Sequence, residues 1–344
     1  MIRFECDYCE GAHPAVLQLL METNLEQTSG YGADPYSQQA ADLIGELCAA
    51  PEADVYFLTG GTQTNATVIS AALKPYQGVI SPDTGHINEH EAGAVEHAGH
   101  KVLALPSSQG KITAQQVQQA IDAHFNDPNH HHTVQPGMVY LSHPTECGTL
   151  YSKEELTQLS RVCRQRDIPL FLDGARMGYG LTAPGNDLTL PEIARLCDVF
   201  YIGGTKVGAL FGEAVVVLSP QLKRDFVYMI KQNGALLAKG RVLGIQFLAL
   251  LRDGLYFEIA AHANRLAMDI RRALEECGIP LCVDSSTNQQ FPIFSNEQVA
   301  TLEQKYTMTP WGSLPDGRQI RRICTSWATR DEDVQQLIAD IRRL

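Results

Sequence analysis

IPLFLDGAR, from Ile168 to Arg176, and DVFYIGGTKVGAL, from Asp198 to Leu210, each open as a short run of Ile, Leu, Val and Phe and close on polar residues. A continuous apolar run of this length reads as a strand buried on both faces of a parallel sheet. The first run ends in Asp173 and Arg176; the second ends in two glycines, Thr205 and Lys206. Open α/β sheets bind ligands beyond the carboxyl ends of their strands. A carboxylate and a lysine at two such ends therefore predict one shared site.

The same rhythm runs through most of the chain. Strands are expected near 55–59, 78–81, 101–105, 138–142, 170–173, 199–203 and 214–218, with helical periodicity near 37–48, 65–73, 113–123, 153–166 and 191–196. This alternation predicts an α/β fold, a mainly parallel seven-stranded sheet wrapped by helices. From about Arg252 the pattern changes to a long helix near 258–277, an extended piece at QQFPIF, a helix near 296–305, two short strands and a last helix from Asp331. The expected division is residues 1–250, an N-terminal segment and large domain, and residues 251–344, a small C-terminal α/β domain.

The net charge of −12 comes from 27 basic and 39 acidic residues that are interspersed along the chain. Nucleic-acid surfaces need clustered Lys and Arg, so that class of partner is excluded. No stretch approaches a membrane span, and the first residues lack a basic-then-apolar pattern; a soluble, cytoplasmic protein is expected. Nine scattered cysteines do not make a disulfide framework. Cys6 and Cys9 form a lone C-x-x-C, which without a second pair reads as two reduced thiols. FNDPNHHHTVQPG reads as a solvated loop despite its three histidines.

The lysine and carboxylate fit pyridoxal 5'-phosphate (PLP): the lysine condenses with the cofactor aldehyde and the carboxylate keeps the pyridine nitrogen protonated. VYFLTGGTQTN reads as strand, turn and helix, so Gly60, Gly61 and Thr62 offer an anion site at a helix N-terminus. In SPDTGHINEHEAGAVEHAGH, the motif H-E-x-x-H fails because its last position is Ala94. A metal-dependent hydrolase on His86, His90, His97 and Glu91 remains an alternative, although it leaves Asp173 and Lys206 unexplained. On the other reading, His86 stacks on a cofactor ring. His143 closes the run VYLSHP and is a candidate acid/base. Strand alternation sends one of Arg321 and Arg322 inward, where a guanidinium binds a carboxylate through two parallel hydrogen bonds.

The order of these motifs resembles the low-specificity threonine aldolase branch of the β-eliminating lyases, PLP enzymes of the aminotransferase-like fold type I. FECD, YGADP, TGGTQTN, the stretch around His86, DGAR, the strand-end Lys206 and IRRICTSWATRDED carry the likeness along nearly the whole chain. The resemblance implies that Lys206 condenses with PLP, that Asp173 partners its ring nitrogen and that His86 stacks on the ring. It implies a second active-site histidine at His143 and cofactor or substrate contacts from Arg176. It gives Arg322 the substrate carboxylate, and adds Asp7 and Tyr31 to the substrate side. The family's tyrosine at Tyr31 comes from a neighbouring subunit, which implies a homodimer or homotetramer with shared active sites. The implied reaction is aldol cleavage of a β-hydroxy-α-amino acid such as threonine or allo-threonine to glycine and an aldehyde. The alternatives are β-elimination from another amino acid, or a homologue that binds without catalysis. No metal ligand is assigned. The chain departs from the family where ECDYCEGAHP and YLSHPTECG stand.

Overall fold

In the computed structural model, which describes residues 1–344, seven of the expected apolar runs form one sheet. The strands are β1 (Asp54–Leu58), β2 (Gln77–Pro82), β3 (Lys101–Leu105), β4 (Gln135–Ser142), β5 (Leu170–Asp173), β6 (Val199–Gly203) and β7 (Glu213–Val217). Their spatial order is β1-β7-β6-β5-β4-β2-β3. Neighbours from β3 through β6 pair in parallel, whereas β7 runs antiparallel to both β1 and β6. The sheet is thus mainly parallel, as the sequence predicts.

The strands are apolar throughout because both faces are covered. Leu170, Leu172, Phe200 and Ile202 pack into one core layer, and Phe171, Val199 and Tyr201 into the other. Each fully buried side chain of this size contributes about 1.5–3 kcal/mol through removal of apolar surface from water. Helix Lys153–Gln165 starts on a capping box between Ser152 and Glu155. Helix Gly61–Ala72 starts several residues earlier than its apolar periodicity suggests, because Gly60 is its N-cap and no side chain caps it.

The last part of the chain forms a second α/β layer. The 22-residue helix Leu255–Glu276 packs with Asp331–Ile341. Strands Thr309–Ser313 and Gln319–Cys324 pair antiparallel. The first residues of the chain join this unit: Ile2–Arg3 pairs in parallel with Tyr306–Thr307, and Phe4 is buried with Leu266, Ile270 and Ile323. The segment after Phe4 then crosses to the large sheet. No helix is long and apolar enough to cross a membrane.

The turn leaving β5 is set by one glycine. A Cβ on Gly174 would lie inside the van der Waals surface of the Tyr201 carbonyl oxygen, and 2.7 Å from Met177 Cε. Gly174→Ala must push β5 and β6 apart at the end that carries Asp173. It is expected to cost about 3 kcal/mol by overpacking and to lower the thermal unfolding midpoint; an unchanged midpoint would show that the strands yield.

Candidate active site

Strand direction assembles the site. β1, β2, β4, β5 and β6 run the same way, so their carboxyl ends share one edge; β7 opposes them, so its amino end joins that edge. There a cleft of about 930 Å³ is lined by Gly60, Gly61, Thr62, His86, Asp173 and Lys206. Arg176, Tyr201, Thr205 and Glu213 complete its floor, and Tyr8, Trp311 and Arg322 close it from the N-terminal segment and the small domain. The two motifs that predict one site do meet.

Asp173 is buried, and each of its oxygens is satisfied. The Tyr140 hydroxyl donates to Oδ2 at 2.6 Å, Asn65 Nδ2 to the same oxygen at 3.1 Å, and the Ala175 amide to Oδ1 at 2.9 Å. Asn65 also donates to Glu91 Oε1 at 2.7 Å, which lies 2.8 Å from His86 Nδ1. A continuous hydrogen-bonded chain, buried except at His86, therefore joins His86 to Asp173 through Glu91 and Asn65. Burial disfavours the imidazolium of His86, but Glu91, Glu146 and Asp173 outweigh it and raise its pKa.

Lys206 sits in a turn held from two sides. Its carbonyl accepts from the Tyr179 hydroxyl at 2.6 Å, and the carbonyl of Gly203 accepts from the Tyr256 hydroxyl at 2.9 Å. Thr205 Oγ1 donates to Glu213 Oε1 at 2.8 Å, and the Gly204 amide donates to Oε2 at 3.2 Å. Burial pushes the Glu213 carboxyl up to about 8, against the pull of Thr205 and Lys206.

The two cleft arginines differ in their partners. Arg176 donates from Nε and Nη2 to the Asp7 carboxylate at 2.7 and 3.0 Å. Arg322 makes no ion pair: Nη2 donates to the Glu5 carbonyl at 2.9 Å, its plane lies over Trp311, and its buried Nε has no acceptor. Arg321 points away and pairs with Glu303 at 2.8 Å. Alternation allows only one of the two to face the cleft, and it is Arg322, the one the family resemblance names.

Three expected site residues lie outside the cleft wall. His143 is completely buried; neither ring nitrogen has a partner, and burial lowers its pKa to about 4. Alternation is the reason: Tyr140 and Ser142 of β4 take the Asp173 side, so His143 turns to the opposite face, near Gly180. As a substrate-contacting acid/base it is corrected by this placement. Asp7, expected on the substrate side, is fully buried and hydrogen-bonded to Arg176 and Asn288; burial raises its pKa, but the charges of Arg176 and Lys206, with these hydrogen bonds, hold it at about 2. Tyr31 is exposed, away from this chain's cleft, with Lys231 Nζ over its ring at 4.9 Å.

Glu213, Tyr201, Glu146 and Trp311 are cleft residues that sequence reasoning did not single out. Glu213 carried the one available signal, a carboxylate at the head of the strand run EAVVV. The hydrolase alternative loses its ligands, since Glu91 is engaged by Asn65 and His86, and His97 is exposed. No group of three or more His, Cys, Asp or Glu is arranged to hold a metal ion. The cleft does fit a phosphorylated, ring-bearing group. The uncapped first turn of Gly61–Ala72 faces it, and the buried Tyr201 hydroxyl has no partner in the protein. A Cβ on Gly61 would close the gap to that hydroxyl to 3.2 Å.

This architecture, with lysine and aspartate at neighbouring strand ends, is the aminotransferase-like fold type I of PLP enzymes. A mutant aspartate aminotransferase of Thermus thermophilus superposes with a TM-score of 0.73 at 16% identity, covering 100% of this chain and 91% of that one. The chain belongs to the beta-eliminating lyase family, which matches residues 5–297. It is 30% identical to the low specificity L-threonine aldolase of Pseudomonas sp. (strain NCIMB 10558), over 99% of this chain and 97% of the relative. The structure of Leishmania major threonine aldolase matches at 45% identity with a TM-score of 0.97, covering 100% of this chain and 99% of that one.

Glu213 gives the site a pH signature. Its folded pKa lies above the ordinary carboxyl value, so the stability it contributes is full below about pH 4.5 and is lost as pH rises to about 8. Glu213→Gln cannot ionise and keeps an acceptor for Thr205. Relative to wild type, its unfolding midpoint should rise progressively between pH 5 and 8 and then level off; parallel midpoint curves would remove the titration from Glu213.

Proposed function

We propose that this protein is a PLP-dependent aldolase that cleaves a β-hydroxy-α-amino acid, threonine or allo-threonine being the simplest, to glycine and an aldehyde. The observation that carries the reading is the hydrogen-bonded chain His86–Glu91–Asn65–Asp173, which lines one cleft with Lys206 through His86 and Asp173. The 45% identity to a threonine aldolase over the full chain supports the substrate class. In this reading Lys206 holds the cofactor aldehyde, and Gly60, Gly61 and Thr62 hold its phosphate. Asp173 keeps a proton at the ring nitrogen, and His86 packs on the ring face. PLP, when bound, supplies a conjugated ring that accepts the electron pair freed at Cα.

The remaining steps belong to side chains of the cleft. Arg322, whose charge no carboxylate in the chain answers, takes the α-carboxylate and so decides which bond at Cα is broken. Arg176 is neutralised by Asp7 and shapes the wall beside it. The proton leaving the β-hydroxyl goes to a histidine on the cleft wall, His86 or His90, rather than to His143. We also infer a cytoplasmic homodimer or homotetramer with shared sites, in which Tyr31 serves the neighbouring subunit; its exposure on this chain, with that of Met21 and Leu25, supports this.

The cofactor assignment is tested by borohydride reduction of the purified yellow protein, followed by peptide mapping. The label is expected on Lys206, and Lys206→Ala should lose both label and visible absorbance while staying folded; a label on Lys231 or Lys239 would overturn the assignment.

The carboxylate assignment separates two adjacent arginines. Arg322→Lys loses the planar two-point contact and should reduce kcat/KM roughly a hundredfold, about 2–3 kcal/mol, with kcat falling as well as KM rising. Arg321→Lys disturbs only a peripheral ion pair and should change either constant by less than about twofold. Glycine formation from threonine, measured for both variants, decides; damage confined to Arg321→Lys would reverse the assignment.

A further inference from the structure

The segment Glu5–Glu10 grips the cleft from the rim. The Glu5 carbonyl accepts from Arg322 at 2.9 Å, the Asp7 carboxylate holds Arg176, and Ser326 Oγ donates to Glu10 at 3.3 Å. Tyr8 forms part of the cleft wall. The residues that bracket Asp7 and Tyr8 are Cys6 and Cys9, whose sulfurs lie 3.3 Å apart. Cys9 is exposed and Cys6 half-buried, whereas Cys48, Cys147, Cys163, Cys197 and Cys324 are buried. Of the nine cysteines, these two alone are both reachable and placed against the residues that hold the cleft arginines.

We propose that Cys6 and Cys9 are a modification site: a dithiol at the cleft rim that exchanges with small-molecule disulfides such as oxidised glutathione, closes to an intrachain disulfide and loosens the substrate grip. Closure itself stands on the cysteine geometry; its effect on the substrate rests on the function proposed above.

The exchange balances in two steps. Cys9 Sγ donates its proton toward Glu5 Oε1 at 3.8 Å, and burial, then its neighbour Cys6, push the Cys9 thiol up, so Cys9 keeps its proton and Cys6 is the attacking sulfur of the first step. A bond forms between Cys6 Sγ and one glutathione sulfur, the S–S bond of oxidised glutathione breaks, and one glutathione leaves with the Cys6 proton. Cys9 Sγ then attacks Cys6 Sγ, the Cys6–glutathione bond breaks, and the second glutathione leaves with the Cys9 proton. Two electrons pass from the cysteine pair to oxidised glutathione, which ends as two reduced molecules.

A disulfide requires sulfurs about 2.05 Å apart, so the pair must draw together by about an ångström. The two residues between them are Asp7 and Tyr8, and the carbonyl just before them is the one that binds Arg322. A displacement of that size at a positioning contact costs up to about a hundredfold in rate. Because that contact positions Arg322, a KM increase of roughly tenfold for the amino acid, with kcat falling alongside it and both reversed by dithiothreitol, is expected.

The holoenzyme would be treated with oxidised glutathione, alkylated and mapped, and its kinetics compared before and after. The peptide containing Cys6 and Cys9 should lose two hydrogens and escape alkylation, and KM should rise as stated. Cys9→Ser should stop at a glutathione on Cys6, and Cys6→Ser should keep its basal activity and show no response. Full alkylation of both cysteines, or glutathione found only on Cys277 and Cys282, overturns the site. A closed pair with unchanged KM overturns the effect on substrate binding. The peptide map reads closure without turnover, so failure to close and failure of the aldolase reading are separate results.

Discussion

The carboxylate of Asp173 is the constraint around which the large domain is arranged. A buried charge is tolerated only when hydrogen bonds replace its lost hydration. Here the donors come from β4, from the helix that follows β1 and from the turn that leaves β5. These partners meet only if β4 and β5 hold the register that pairs Ser142 with Asp173. Site and sheet are therefore one structure. Glu91 carries the same network to His86, so His86 and Asp173 are fixed relative to one another.

A second division of labour concerns positive charge. Arg176 and Asp7 form a buried two-point pair, and removing one member of such a pair typically costs about 3–5 kcal/mol because the other charge is stranded. That commitment leaves Arg322, stacked on Trp311, as the cleft arginine without an acidic partner. The segment that supplies Asp7 begins by pairing with the small domain at Tyr306–Thr307 and ends against the large sheet. It ties the two layers together at the mouth of the cleft, which is why a change confined to Cys6 and Cys9 can reach both arginines.

Several parts were legible because they depend on local pattern. Continuous apolar runs identified the seven strands, and polar residues ending 170–173 and 199–203 identified the site, because both signals lie within a few consecutive residues. The helix Arg241–Leu251 was not legible: buried on nearly every side against helix Pro35–Leu47, it carries no polar face and so no helical period. Glu213 was equally hidden. Its place in the cleft follows from β7 running antiparallel, and nothing in EAVVV states a direction.

The sequence by itself determined the fold class and the pairing of Asp173 with Lys206, since both follow from chain order; strand alternation allowed only one of Arg321 and Arg322 to face inward, and the family resemblance named Arg322. Only the tertiary structure decided the fates of His143 and Asp7. His143 lies at a strand end like a catalytic residue, yet its parity turns it into the core; Asp7 is an acid near the N-terminus, yet it is spent on Arg176. Parity places His143 opposite Tyr140 and Ser142, but which face of β4 carries the site, and which cation meets Asp7, are set by distant elements, and a linear sequence holds no record of those arrivals.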